Sequence, residues 1–499
     1  MKRFFDTLLL LALLLGGQAC VYAQDNICDV EFVRHSFVRN HYNLRLPYAQ
    51  INMQGTHLFE ANANDVVLHQ WGDAPLQCAQ RANRLQVSAS QGGGAVVMRC
   101  SMFHPFLCYE VGLDTIAGEQ GMAFYSDKQR LVVYKRPGAI GVRTDRETRE
   151  VPDAHDGPMI LRTQWTGARL HVFACNESGD SLALSLNAGP AHWDERSLDD
   201  WSWGAYAKLD ANERVSINKV EATLACGTGQ ADPAIVQHAD GSPYIIDGKL
   251  YVMLTTRGFE QIPDSYQGIY RLDLTTFQWE LMGALHFTRQ GDHLLHPYHA
   301  TRVVRDDVHD RWLVMTVSHG EDHCLMQGET RADILHGMHV MDVAPLHEPY
   351  EATHTNEDPD FLWDAKQKQW ILAYVSVMGD KGYQTILARS KQWNGPYKEV
   401  AHSEVGNETG TKLVSLPNTP QRYAVLSGGT DYNVLRYPTL EREGGLRVRY
   451  PDGGFRGWAS ITRIPWNDSH RWLWITFDRG RPYGRYSYGT LYIYLSKLN

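Results

Sequence analysis

The chain has 499 residues, 57 acidic against 48 basic side chains and a net charge of -9, with 43% hydrophobic and 11% aromatic residues. This composition excludes a disordered chain, and the length calls for two or three domains. An acidic chain without a Lys/Arg block would repel a phosphate backbone, so nucleic acid is not an expected partner.

Lys2 and Arg3 precede the apolar run Leu8 to Leu15, and small residues follow at Gly16-Gly17 and Val21-Tyr22-Ala23. This pattern predicts a signal peptide over 1–23, cut before Gln24, and hence an exported (periplasmic or secreted) protein. Removing Lys2, Arg3 and Asp6 leaves 46 basic and 56 acidic side chains, or -10. No later run reaches the ~20 apolar residues of a membrane span, so no transmembrane segment is expected.

Seven cysteines follow the leader: Cys28, Cys78, Cys100, Cys108, Cys175, Cys226 and Cys324. In an oxidising compartment some would pair, Cys100 and Cys108 being nearest in sequence, and the odd count leaves one over. No CxxC or Cys/His ligand spacing occurs, so no structural zinc is expected. His319 and His323, flanking Gly-Glu-Asp before Cys324, read as a polar loop and not as a metal site.

From residue 24 onward, short alternating apolar runs broken by Gly, Asp, Asn and Pro dominate, which predicts an all-β chain. Examples are Arg130-Leu-Val-Val-Tyr-Lys135 and Ala168-Arg-Leu-His-Val-Phe-Ala174. Residues 24–222 suit a two-sheet sandwich. Within them Gly121-Met-Ala-Phe-Tyr-Ser126, followed by Leu131-Val-Val-Tyr134, resembles the concanavalin-type sandwiches attached to many carbohydrate enzymes.

Beyond 222 the chain repeats. Five segments open with an aromatic followed by apolar residues: Tyr251-Val-Met-Leu-Thr, Trp312-Leu-Val-Met-Thr, Trp370-Ile-Leu-Ala-Tyr, Tyr423-Ala-Val-Leu-Ser and Trp472-Leu-Trp-Ile-Thr. Their starts are 61, 58, 53 and 49 residues apart, and each follows a strand and a polar turn. This period predicts a five-bladed β-propeller over 223–499, with the sandwich before it.

A residue at the start of an innermost strand faces the shared axial pocket, so the residues just upstream of each aromatic are the candidates for chemistry. They are Asp240 in blade one, His299 (with His296) in blade two, Asp358 in blade three, Glu408 in blade four, and Trp458 beside Arg456 in blade five. Asp240 has a rival in Asp232-Pro233, eight residues upstream, and Glu357 stands beside Asp358. Acids converging on one pocket cannot all stay ionised, and a proton held near neutral pH is what glycoside cleavage needs.

In this order of acids, in Asp358-Pro359 and in Ala388-Arg-Ser-Lys-Gln-Trp-Asn-Gly-Pro-Tyr397, the chain resembles the five-bladed propeller glycosidases of glycoside hydrolase family 43 and its family 32 relatives. The resemblance covers roughly 230–499. It implies an exported glycoside hydrolase acting on a poly- or oligosaccharide, with Asp240 as base or nucleophile, Asp358 orienting the sugar and Glu408 as acid. It further implies that His296 and His299 bind hydroxyls, that Arg456 and Trp458 form a stacking wall, and that Glu357 is the acid if the blade register is shifted. No cofactor is required by this chemistry; the resemblance allows a structural calcium in the axial channel, for which no ligand set is visible. Two other readings stand beside it. A non-catalytic carbohydrate-binding propeller would carry repeated equivalent sites, and a polysaccharide lyase acting on a uronate-containing glycan would use Tyr298, His299 and Arg302.

Overall fold

The computed structural model of the protein describes residues 27–38, 45–47, 69–70, 76–81, 84–101, 103–225, 229–257, 265–416, 423–429, 432–448, 456–467, 469–478 and 490–497. The predicted signal peptide lies outside the described residues. The regular structure is β throughout apart from short 3-10 turns, and no helix among the described residues is long and apolar enough to cross a membrane.

Two antiparallel sheets face each other in the first half. One runs in the order 148–152, 139–144, 130–136, 119–125, 202–209, 93–101 and 69–70. The other runs 179–187, 169–176, 159–166, 107–113, 214–225, 84–89 and 76–81, with 45–47 also paired to 214–225. Their facing sides bury an aromatic cluster: Phe103 meets Trp165 edge-on at 5.1 Å and Tyr109 lies 4.7 Å from Trp203. Rings of this size dominate the burial energy of such a core. Cys100 and Cys108, the pair nearest in sequence, are both buried and no disulfide joins them.

The second half consists of five antiparallel sheets around an axis. Their innermost strands are Gly229–Ile235, His299–Asp306, Glu357–Asp364, Thr409–Ser415 and Arg456–Trp466. Each packs against the next, and the fifth returns to the first, so the ring is closed. The aromatic landmarks all fall on the second strand of a blade, within Lys249–Arg257, Arg311–Val317, Gln369–Val377, Tyr423–Gly428 and Ser469–Asp478. Blades one and two are also joined at their rims, where Trp279–Arg289 runs parallel to Gly337–Pro345.

The assignment of residues 24–222 to the sandwich alone is corrected at its start. Glu31–Val38 pairs antiparallel with Leu491–Ser496 as the fourth strand of blade five, and its far edge pairs parallel with the short strand Arg447–Val448. Arg456–Trp466, Ser469–Asp478 and Leu491–Ser496 form the antiparallel part of that blade, and Glu31–Val38 covers the edge that Leu491–Ser496 would leave unpaired. Phe32 anchors it, buried edge-on against Trp474 at 5.5 Å.

The two halves meet along the segment 192–195. Asp194 bridges Leu294, and the Leu295 amide donates to the Trp193 carbonyl at 2.8 Å. Nearby, Phe106 of the sandwich packs edge-on against Tyr266 of blade one at 5.6 Å. These contacts fix the sandwich against blades one and two.

Candidate active site at the hub

All five innermost strands carry the same irregularity near their start. The pairing register slips between Ala231 and Ala234, His299 and Arg302, Glu357 and Asp360, Thr409 and Lys412, and Gly457 and Ser460. Inside each slip sits one residue with positive φ: Asp232 at 55°, Ala300 at 57°, Asp358 at 57°, Gly410 at 61° and Trp458 at 64°. A bulge of this kind re-aims a side chain, and here it does so five times around one axis. The blades are thereby in register, with 232, 300, 358, 410 and 458 as equivalent positions. Two acids, two small residues and a tryptophan occupy them, so the pocket is single and asymmetric rather than five-fold repeated.

Gly410 is required by two constraints at once. Its φ is left-handed, and a Cβ there would sit 2.3 Å from the Trp458 amide nitrogen. Gly410→Ala is expected to destabilise the protein by about 1–3 kcal/mol, read as a lowered urea midpoint. An unchanged midpoint would mean the bulge can relax.

The pocket, about 440 Å3 counted to its open mouth, is lined by Asp232 and Arg257 from blade one, His299 and His319 from blade two, Glu357 and Asp358 from blade three, Thr409 from blade four and Trp458 from blade five. Asp358 is almost wholly buried; its Oδ2 accepts hydrogen bonds from the Thr409 hydroxyl and the Gly410 amide, both at 2.7 Å. Burial, then the charges of Glu357 and Asp232, push its carboxyl up to about 7 in spite of those two donors.

Glu357 is the opposite case. Burial works to raise it, but His323, Tyr383 and His319 outweigh that and hold it below the ordinary glutamate range. His323 Nε2 lies 2.6 Å from Glu357 Oε1, the Tyr383 hydroxyl donates to the same oxygen at 2.9 Å, and His319 Nε2 is 4.0 Å away. Across the hub, Arg257 Nη2 stands 3.7 Å from Asp232 Oδ2 and 3.5 Å from His299 Nδ1. His299 is buried and stacks on His319 at 5.0 Å, and its Nε2 has no hydrogen-bond partner. Burial, with Arg257 and the neighbouring imidazoles, holds His299 well below its usual value, so it is neutral.

Beneath this layer the equivalent positions 302, 360 and 412 close the channel. Arg302 Nε meets Asp360 Oδ1 at 2.8 Å and Lys412 Nζ meets Asp360 Oδ2 at 3.2 Å, all three side chains being buried. Gln237 accepts from Lys412 Nζ at 2.7 Å. The pocket thus has a polar floor.

Of the sequence candidates, Asp358, Glu357, His299 and Trp458 line the pocket. Asp240 does not: it is exposed, and its Oδ1 caps its own turn through the Ser242 amide and hydroxyl. Its rival Asp232 holds the blade-one place, because 237–238 and 245–246 form extra short strands between the inner strand and Tyr251. Glu408 is buried but turned into the seam of blades three and four, where Oε2 accepts from the Thr385 amide at 2.8 Å; burial raises its carboxyl. His296 lies outside the pocket, held between Asp292 and Glu321. The Arg456 side chain lies outside the described residues. The lyase set is dispersed, since Arg302 is committed to Asp360 and the Tyr298 hydroxyl reaches Glu321 at 3.4 Å.

His319 and His323, read from the sequence as a polar loop, each place one ligand atom within 4.8 Å of one another and of one from Glu357. Two imidazoles and one carboxylate suit a zinc-class ion, not calcium, which takes six to eight oxygens.

No family model matches the chain, and no curated protein matches it. Solved structures do. Bacillus subtilis levansucrase aligns with a TM-score of 0.40 at 10% identity, over 54% of this chain and 84% of its own. The α-L-arabinofuranosidase PaAbf62A of Podospora anserina aligns with 0.36 at 11%, over 55% and 92%. A thermostable family-43 glycoside hydrolase aligns with 0.34 at 11%, over 54% and 88%. The likeness is distant, and it is to glycoside hydrolases.

Proposed function

We propose that the protein is an exported glycoside hydrolase whose reaction takes place at the hub, on a poly- or oligosaccharide. The observation that carries this reading is the meeting of Asp232, Glu357 and Asp358 in one polar pocket where their environments drive two of them apart. Asp358 keeps a proton near neutral pH while Glu357 stays ionised, the division of labour that acid–base cleavage of a glycosidic bond needs. In this mechanism the Glu357–Asp358 pair supplies the proton to the leaving oxygen. Asp232, on the facing blade beside Arg257, serves as the base or nucleophile. Trp458 offers an apolar wall, and His299 Nε2, without a protein partner, is placed to bond a sugar hydroxyl.

The test is release of reducing sugar from a panel of plant and host oligosaccharides, followed across pH on whichever substrate turns over. The rate should fall as pH rises through about 7, because the proton on Asp358 is then lost. A rate that keeps climbing above pH 8, or an ultraviolet-absorbing unsaturated product, would replace hydrolysis with another reaction.

A further inference from the structure

A second cluster of ligating groups lies where the sandwich meets blade two, apart from the residues that line the hub pocket. His192 comes from the sandwich segment, while His296 and Glu321 come from blade-two loops; each offers one ligand atom, all within 4.8 Å of one another. The two imidazoles sit 5.1 Å apart, centre to centre.

What distinguishes this cluster is the set of groups behind it. His296 Nε2 is bonded to Asp292 Oδ2 at 2.7 Å, which turns Nδ1 toward Glu321 Oε1 at 2.6 Å. Asp292 is itself held by the Arg289 and Leu294 amides, each at 3.0 Å. His192 Nδ1 faces the Leu295 carbonyl at 3.4 Å, which leaves Nε2 as its ligand atom. A carboxylate behind one imidazole and a backbone carbonyl behind the other is the outer shell that orients metal-binding histidines. Around the cluster, among the described residues, Asp292, Glu321 and Asp322 outnumber the cation Arg289, which is paired with Asp322 and lies 3.9 Å from Glu321 Oε2. The balance favours a divalent cation.

We propose that His192, His296 and Glu321 form a binding site for a divalent transition-metal ion of the zinc class, joining the sandwich to the propeller. Three protein ligands of the His, His, Glu type suit zinc and leave a fourth position to water. On binding, the proton between His296 and Glu321 is released and the three ligand atoms close on the ion at ~2.0–2.2 Å. Glu321 shares the loop 318–324 with His319 and His323, so the ion would also fix the loop that presents those two imidazoles to the hub.

The test uses the full, tag-free chain stripped with a chelator and then titrated with Zn2+ or Co2+. The wild type should bind the ion at micromolar concentration and show the visible absorption of Co2+ in a low-symmetry site. His192→Ala and Glu321→Gln should each lose one equivalent of this binding, or weaken it at least tenfold. Asp292→Asn should weaken it by about 10- to 100-fold through loss of the orienting carboxylate. His323→Ala, at the hub, should leave this equivalent in place. Zinc should raise the Tm of the wild type by more than that of His192→Ala. Unchanged binding in His192→Ala, loss of all binding in His323→Ala, or no uptake by the wild type would each overturn the proposal.

Discussion

Glu357→Gln is expected to lower turnover on the identified glycan by roughly 10²–10⁴-fold, the usual worth of a positioned acid–base group, with no loss of folded protein at 25 °C. The amide keeps the shape and the contact with Tyr383 but cannot carry the charge that holds a proton on Asp358. Asp232→Asn should fall into the same range, since Asp232 is the only described carboxylate lining the pocket from outside blade three. Asp240→Asn should turn over like the wild type, because that side chain caps an exposed turn. Initial rates for the three variants, with circular dichroism to check folding, decide the matter. Activity retained in both pocket variants would remove the hub carboxylates from the chemistry.

Asp360→Ala is the substitution with the largest expected effect on stability. It leaves Arg302 and Lys412 buried at the axis without their shared counter-charge, and loss of one partner from such a set costs about 3–5 kcal/mol. That is a large part of the 5–15 kcal/mol typical of a folded domain. Burial raises the Asp360 carboxyl, but Arg302 and Lys412 more than reverse this, so its native value lies below its unfolded one. Its contribution is therefore fully present above the ordinary aspartate range and is lost as pH falls through the lower, native value. Urea unfolding at pH 7 should show the deficit, and replacing all three side chains by apolar residues of similar size should recover much of it. A deficit below about 1 kcal/mol would mean that water reaches the floor of the pocket.

The β character and the period of the second half were legible because the aromatic landmarks recur on the second strand of every blade, where Tyr251, Trp312, Trp370, Tyr423 and Trp472 are buried. Asp358 was legible for the same reason: it stands twelve residues before Trp370, the spacing of a plain two-strand hairpin. Asp232 stands nineteen before Tyr251, and a count from the landmark lands on the inserted turn at Asp240 instead. The shared Asp-Pro at 232–233 and 358–359 was the signal that would have corrected it. Glu408 has suitable chemistry and spacing, but the residue two places on, Gly410, occupies the axial position. The ties of His319 and His323 to Glu357 cross from one blade to the next, and no local pattern in the chain records them. Nor does one record the place of Glu31–Val38, whose alternation would serve any sheet edge.

That strand sets the order in which the molecule can be completed. Glu31 and Lys497, 466 positions apart, are joined by backbone and side chain, so the latch of the wheel joins segments far apart in the chain. A chain emerging from the ribosome must hold Glu31–Val38 in reserve until Leu491–Ser496 appears. Closure of so long a loop comes late and carries a high entropic barrier. A chain cut before Leu491 therefore forfeits more than a few rim contacts: Glu31–Val38 and Ser469–Asp478 each lose the strand that pairs them, leaving adhesive sheet edges.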